Sequence, residues 1–326
     1  MMSTAPSAVI VRQAAQGDGK PSVTYRFAGD RAVLIEYGEM VFDLALNFFV
    51  LAAGDALAAD PPEGLIETAP GFRSMLVSYD PAVISTAELV DHLRGLHDEL
   101  RPERGITISS RLVQLPVAFD DSQSRAAVER YIHSIRKDAP NAEGGNNIDY
   151  VVRYNGLEDR EELYQTVLAT EHWTAFIGFF PGLPFMFPLD PRDAIFVPKY
   201  NPTRTWTPEG ALGIGGPCYA IYPVESAGGY QLIGRTLPIY DVRARNEVFR
   251  GNPLLLRAGD RIKFHRVEED ELLRHFDEVH SDAYRYRIDD SPFDVGTYLE
   301  WSATVAGEAD ERRLRREEAA AETPVP

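Results

Sequence analysis

The sequence predicts an α+β protein, a small N-terminal α+β unit followed by a compact β-barrel, and three observations carry that prediction. Residues 23–100 read as strand, strand, helix, strand, strand, helix. From Trp173 to Phe264, short apolar runs alternate with glycine- and proline-rich turns, a spacing that suits a small closed barrel. Between the two textures lies Arg101-Pro-Glu-Arg-Gly105, a polar, proline-containing joint.

Each element follows from local chemistry. Residues 1–20, rich in Ser, Ala, Gly and Gln, show no sustained period and are expected to be disordered and outside the fold. Val23, Tyr25 and Phe27 alternate, Gly29-Asp30 marks a turn, and Ala32 to Tyr37 form a second run, so a hairpin is expected. Phe42 to Ala59 has helical spacing with Asp43 near its start, and Asp60-Pro61-Pro62 stops it. Gly64 to Ala69 and Phe72 to Tyr79 form a second strand pair. Ser85 with Glu88 fits a capping box opening a helix towards Leu100. The resulting domains are 21–101 and 106–277, followed by a C-terminal extension and charged tail at 278–326.

In the second domain, Ile106 to Phe119 reads as a strand interrupted at Pro116. A helical insert at about 121–170 is expected, with Asp120 or Asp121 capping a helix from Ser124 to Arg136, a loop at Asn141–Asn147, and helices Ile148–Asn155 and Arg160–Thr170. Val267 to His275 has early acids and late Arg274 and His275, as a helix dipole favours. Phe293, Tyr298, Leu299 and Trp301 form a last apolar cluster, and from Glu308 the tail reads as a frayed helix without a core face.

Composition narrows the function. A formal charge of −17 from 50 acidic and 33 basic residues disfavours nucleic acid and anionic membranes as partners. The single cysteine, Cys218, allows no intramolecular disulfide and no cysteine-based zinc site. No basic-then-apolar leader begins the chain, so a reducing, cytoplasmic location is expected. No window approaches the roughly 18 apolar residues of a membrane span. The seven histidines include no H-E-x-x-H, and most fall on predicted surface helices, so no metal is expected. No P-loop is present.

The candidate site lies between Trp173 and Asp241. Asp190 is expected to organise a turn with Pro191. In Tyr200-Asn-Pro-Thr-Arg-Thr-Trp-Thr-Pro-Glu-Gly210, Thr203, Thr205 and Thr207 can share one strand face, with Arg204 on the other. Arg204 then either ties strands through a buried carboxylate or offers a fork to a substrate oxygen. Glu225-Ser-Ala-Gly-Gly-Tyr-Gln231 combines an acid, a hydroxyl, glycines, a phenol and an amide able to hold a small planar ligand, or makes a plain hairpin turn. Arg235-Thr236 ends the following strand and could add positive charge.

Gly178-Phe-Phe-Pro-Gly-Leu-Pro184, Leu189-Asp-Pro-Arg192, Gly213-Ile-Gly-Gly216 and Ile221 through Thr236 together resemble the allophanate hydrolase subunit 1 family. That family includes the B component of bacterial 5-oxoprolinase, a sporulation kinase inhibitor and half of the carboxyltransferase domain of urea carboxylase. Phe27 to Glu36 and Phe72 to Asp80 are similar to its opening pattern. Lys199 through Gly216, Asn147 to Glu158 and Pro292 to Trp301 resemble the urea carboxylase branch, whereas Phe179 to Pro184 resembles the separate bacterial proteins.

The resemblance implies a cyclophilin-like β-barrel and half of a carboxyltransferase site completed by a subunit 2-type protein (subdomains A and B). A biotin carboxylase with its carrier would supply carboxybiotin at the expense of ATP, and urea or a related small amide would be the substrate. The chain lacks a biotin-attachment sequence, so no covalently bound cofactor is expected. Negative charge developing on oxygen calls for fixed donors and cations, so Arg204 and Arg235 are catalytic candidates, and Glu225 joins them as a proton acceptor. Gly182, Pro184, Thr205, Gly215, Gly216, Ser226, Gly228, Gly229, Tyr230, Gln231 and Thr236 are the substrate-binding candidates. The alternatives are a component of an ATP-dependent 5-oxoprolinase or allophanate hydrolase working with a lactam-utilisation subunit, and a non-catalytic histidine-kinase inhibitor.

Overall fold

The computed structural model describes residues 9–15, 19–100 and 105–326, and the chain divides into two compact units. One comprises the residues up to 110 together with 291–301; the other comprises 111–290 and 302–326. The division thus falls at 110/111 rather than at the Arg101–Gly105 joint, of which 101–104 lie outside the described residues. The C-terminal extension is split between the two units instead of standing apart.

The first unit is a five-stranded antiparallel sheet ordered β1 (Val9–Gln13), β2 (Val23–Phe27), β3 (Ala32–Tyr37), β5 (Ser74–Tyr79), β4 (Leu65–Pro70). Strand β1 corrects the expectation that residues 1–20 lie outside the fold: Val11 to Gln13 pair with Tyr25 to Val23, while 1–8 and 16–18 are outside the described residues. Alternation places Tyr25, Ile35, Tyr37 and Val77 inward. Helices α1 (Leu44–Ala59) and α2 (Thr86–Glu99) cover that face, capped by Asp43 and by the Ser85/Glu88 capping box. His97 of α2 is buried rather than on the surface, its ring nitrogens meeting the hydroxyls of Tyr25 (2.7 Å) and Tyr37 (2.9 Å). Burial, which disfavours the imidazolium, lowers its pKa to about 4. The short strands β6 (Thr107–Ile108) and β17 (Phe293–Asp294) pair, and Phe293 and Tyr298 pack their rings on Phe48.

The second unit is built on β7 (Arg111–Phe119), β8 (His172–Ile177), β9 (Pro184–Pro188), β11 (Ala211–Gly215), β12 (Cys218–Ile221), β14 (Gln231–Thr236) and β15 (Arg261–Arg266). Their order, β14-β11-β12-β9-β8-β15-β7, closes through β14–β7 into a seven-stranded barrel, and β16 (Arg287–Asp290) adds to the outside of β7. Closure depends on Gly234, where a Cβ would lie 2.5 Å from the Ala118 carbonyl oxygen. Pro116 does not interrupt β7. On that edge β16 pairs with residues 111–114 and β14 with 117–119, so the missing N–H falls between two ladders. Arg111 is bidentate to the fully buried Asp260 (Nε–Oδ1 2.9 Å), fixing the turn that feeds β15.

Barrel interiors fill by alternation: Leu212 and Ile214 of β11, Tyr219 and Ile221 of β12, and Met186 of β9 belong to the buried core. Helices α3 (Ser122–Ser134), α4 (Ile148–Tyr154) and α5 (Arg160–Ala169) form the insert, and Asp121 caps α3 through the N–H groups of Gln123 and Ser124. His172, which opens β8 and lay outside the predicted helices, is fully buried. Helix α6 covers Glu269–His280, starting and ending later than expected. Helix α7 is Val295–Thr304, and the tail forms α8 (Ala306–Glu322). No residue of α8 is buried, yet the helix is held to its unit by Arg312 to Asp193 (3.4 Å) and by Arg192 to Glu308 (3.0 Å). No helix among the described residues is long and apolar enough to cross a membrane.

Candidate functional site

On β11 the inward residues Leu212 and Ile214 alternate with Gly213 and Gly215, so the outer face of that strand carries no side chains at those two positions. The ring of Tyr230 occupies the bared strip. A Cβ on Gly215 would sit 2.4 Å from Tyr230 Cδ1, and one on Gly213 3.0 Å from its Cβ. Gly228 does the same for Tyr222, whose hydroxyl would meet an added Cβ at 2.4 Å. The glycines expected to approach a ligand instead let two phenols lie against the sheet.

Those phenols wall a cavity of about 210 Å³ lined by Phe179, Leu183, Phe185, Lys199, Thr203, Ala220, Tyr222, Gly228, Gly229 and Tyr230. Phe185 and Ala220 are register partners of β9 and β12. Exposed at the rim, Lys199 holds its ammonium 5.1 Å from the Tyr230 ring centroid, with no ion pair within 4 Å among the described residues. Also lining the cavity, Phe179 is 76% exposed and has a φ of 68°, a conformation uncommon for a bulky side chain. Burial raises the pKa of both Tyr222 and Tyr230, so both remain neutral hydroxyl donors. Cys218 lies beside Tyr230 with its thiol pushed up to about 12 by burial, which removes it as a nucleophile. No group of three or more potential metal ligands occurs among the described residues.

The structure brings Gly228, Gly229 and Tyr230 to the cavity and sets other candidates behind them. Arg204 is a correction. Only 1% exposed, it neither ties to a carboxylate nor faces a ligand. Its Nη1 donates to the Tyr230 carbonyl (2.6 Å), its Nη2 to Thr207 Oγ1 (3.2 Å), and its guanidinium lies 4.6 Å over the Tyr200 ring. Strand β10 (Arg204–Thr207) loses its alternation through a register shift against β13 (Ser226–Gly228), so Arg204 and Thr207 are both buried while Thr205 is exposed and outside the cavity. Gln231 is also buried, donating to the Pro198 carbonyl (2.8 Å) and accepting from Asn141 (3.1 Å), and so sets the chain next to Lys199. Gly215 backs Tyr230. The Gly216 N–H is committed to the Val197 carbonyl (2.8 Å) and cannot serve an oxyanion. Gly182, at φ 80°, and Pro184 shape the turn that presents Phe179 and Leu183.

The remaining candidates lie elsewhere. Arg235 donates from Nε to the Glu209 carbonyl (2.7 Å) and stacks 4.2 Å over Phe276 of α6. Burial pulls its pKa down against the pull of Asp121, Glu209, Glu269 and Glu225. Glu225 is exposed and belongs to that charge cluster rather than the cavity. Thr236 is buried, donating to the Pro116 carbonyl (2.6 Å), and Ser226 pairs across to Thr207 without lining the cavity. Asp190 organises its turn as expected, accepting from the Arg192 N–H (3.0 Å). Sequence reasoning missed Lys199, Tyr222, Phe179 and Thr203. The signal for Lys199 was a lone cation opening a proline-restricted segment.

Residues 23–250 match the family described as carboxyltransferase domain, subdomain C and D. The chain belongs to that family. Among curated proteins, urea amidolyase from Lachancea kluyveri is 35% identical over 301 residues, 92% of this chain but 16% of that protein. The B component of 5-oxoprolinase from Bacillus subtilis is 31% identical over 242 residues, 74% of this chain and 91% of that one. The crystal structure of Kluyveromyces lactis urea carboxylase matches with a TM-score of 0.83 at 31% identity, covering 97% of this chain and 28% of that one. The chain therefore spans about a sixth of the length of the urea amidolyase it resembles, and the barrel closure that the resemblance implied is present.

Proposed function

We propose that this chain supplies one half of a carboxyltransferase site that places a carboxyl group on urea or a related small amide, with a subunit 2-type protein supplying the other half. The observation that carries the reading is the cavity beside Tyr230. Lys199, Tyr222, Tyr230 and Thr203 line one small hollow, the Lys199 ammonium without a carboxylate partner and both phenols kept neutral by burial. This donor set fits an anionic carboxyl group and a planar amide. Carboxybiotin, generated at ATP's expense on another chain, supplies the activated carboxyl group when bound. Lys199 would balance its negative charge, and the Tyr222 and Tyr230 hydroxyls would donate to oxygens on which charge develops. Phe179 would cover the hollow and limit water. Arg204 and Gln231 act as positioning residues, through the Tyr230 carbonyl and the segment preceding Lys199.

The urea relative covers 92% of this chain and the oxoprolinase relative 74%, which favours the urea branch over ATP-dependent cleavage of 5-oxoproline. The test is to purify the chain with its subunit 2-type partner and the biotin carboxylase and carrier, then follow ATP consumption. Urea-dependent, biotin-dependent turnover is expected. Consumption with 5-oxoproline but not urea would instead establish the amidohydrolase. Recovery of a histidine kinase alone, with no subunit 2-type protein, would remove both enzyme readings.

A further inference from the structure

Helix α8 places Arg312, Arg315, Arg316 and Ala320 on one face, at spacings of three, four and eight residues. That face lines two hollows of the barrel unit. One, of about 360 Å³, is polar, with Asn155, Gln165 and Thr166 opposite Arg312, Arg315 and Arg316. The other, of about 500 Å³, is walled mainly by the apolar Tyr154, Phe196, Ala320 and Ala321, with the Arg313–Glu317 ion pair and Arg316 at its edge. Arg316 lines both. The Tyr154 and Phe196 rings are 6.4 Å apart and 27° from coplanar, and Phe196 is 46% exposed.

The charges here are uneven. Arg192 is held by Asp190 (2.7 Å) and Glu308 (3.0 Å), Arg312 by Asp193 (3.4 Å), and Arg313 by Glu317 (2.9 Å). Arg315 and Arg316 have no ion pair within 4 Å among the described residues, in a chain carrying 50 acidic residues. Burial lowers the pKa of the half-buried Arg316 against the opposing pull of the neighbouring Glu317, which is itself paired with Arg313. The carboxylates at the groove are occupied: Asp193 faces Arg312, Glu317 pairs with Arg313 (2.9 Å), and Glu162 accepts the Glu158 N–H (2.6 Å). A purely apolar ligand would leave both guanidiniums unpaired, and inorganic phosphate would leave the aromatic hollow wet. A molecule with a flat ring at one end and phosphate at the other satisfies both, since arginine forks match phosphate oxygens and aromatic faces stack on bases.

We propose that the α8 groove binds a nucleoside phosphate, the base against Phe196 and Tyr154 and the phosphates against Arg315 and Arg316. The site is separate from the Tyr230 cavity and needs no other subunit. It is tested by calorimetric titration of the full chain alone with ADP, GDP and UDP, with adenosine and inorganic phosphate as controls. At least one diphosphate is expected to bind tenfold or more tightly than either control. The combined variant Arg315→Gln/Arg316→Gln should lose at least tenfold and Phe196→Ser at least threefold, with melting temperatures unchanged. Absence of binding by all three diphosphates, equal binding of phosphate alone, or full affinity in the arginine variant would each overturn the proposal. Because the first two are read on the unaltered chain, a misfolded variant cannot obscure the result. Failure here also leaves the carboxyl-transfer reading intact, since that is measured by urea-dependent turnover of the complex.

Discussion

The two ends of β14 contain equally suggestive residues and have different roles. At one end Tyr230 precedes the strand, its ring seated on Gly213 and Gly215, its carbonyl held by Arg204, and its hydroxyl kept neutral by burial. At the other, Arg235 lies on Phe276 and Thr236 is bonded to the Pro116 carbonyl, so both close the barrel. Five residues of extended chain separate the ends by about 16 Å. Proximity in sequence along a strand is therefore distance in space, and Lys199, more than thirty residues from Tyr230 in sequence, is nearer to its ring than Arg235 can be.

That contrast can be broken or sharpened by substitution. The largest effect is expected from Arg204→Ala, which leaves the Tyr230 carbonyl and Thr207 hydroxyl without their buried partner and opens a void. A loss of roughly 2–5 kcal/mol is expected in urea unfolding, with little rescue by Lys, whose single ammonium cannot reproduce the fork. Stability unchanged in Arg204→Ala would mean that the Tyr230 end is not held as described. Gly215→Ala should come next: the added methyl displaces the Tyr230 ring, and urea-dependent turnover of the complex should fall more than tenfold while the melting temperature moves by only a few degrees.

Lys199→Met removes an exposed charge, so stability should be unaffected. KM for the carboxyl donor should rise roughly tenfold if the ammonium meets an anion, corresponding to about 1.4 kcal/mol; an unchanged KM would move the anion site off this rim. At the opposite end, Arg235→Gln should leave turnover within about twofold and cost on the order of 1 kcal/mol of stability, from lost packing on Phe276. A hundredfold loss of turnover there would reverse the comparison. The smallest signal is chemical. With its pKa near 12, Cys218 is almost entirely thiol at pH 8, and iodoacetamide should label it only after unfolding; rapid labelling of the native chain would show that the floor beneath Tyr230 is open.

Much of the fold was written in local pattern. Ser85 with Glu88, Asp43 before its helix, Asp121 before α3 and the alternation in β2 and β3 each satisfy backbone donors or sort side chains within a few residues, and each appears as the sequence predicts. Strand β1 was missed because Val9–Gln13 is short and gains its partners only from β2. The run of α8 was legible but its docking was not: the arginines that read as a solvated tail meet Asp193 and the insert only after the chain folds back.

By itself the sequence determined the α+β class, the barrel texture, the helix caps and the family, because those depend on periodicity, turn chemistry and the wording of contiguous segments. Tertiary structure alone decided which of the candidate residues share a cavity. Lys199, Tyr222, Phe179 and Tyr230 come from different strands and turns, and Arg204 became a buried brace through a register shift between β10 and β13. Such placement depends on strand pairing between distant segments, where one residue of slip exchanges the inner and outer faces, and no local pattern specifies that pairing.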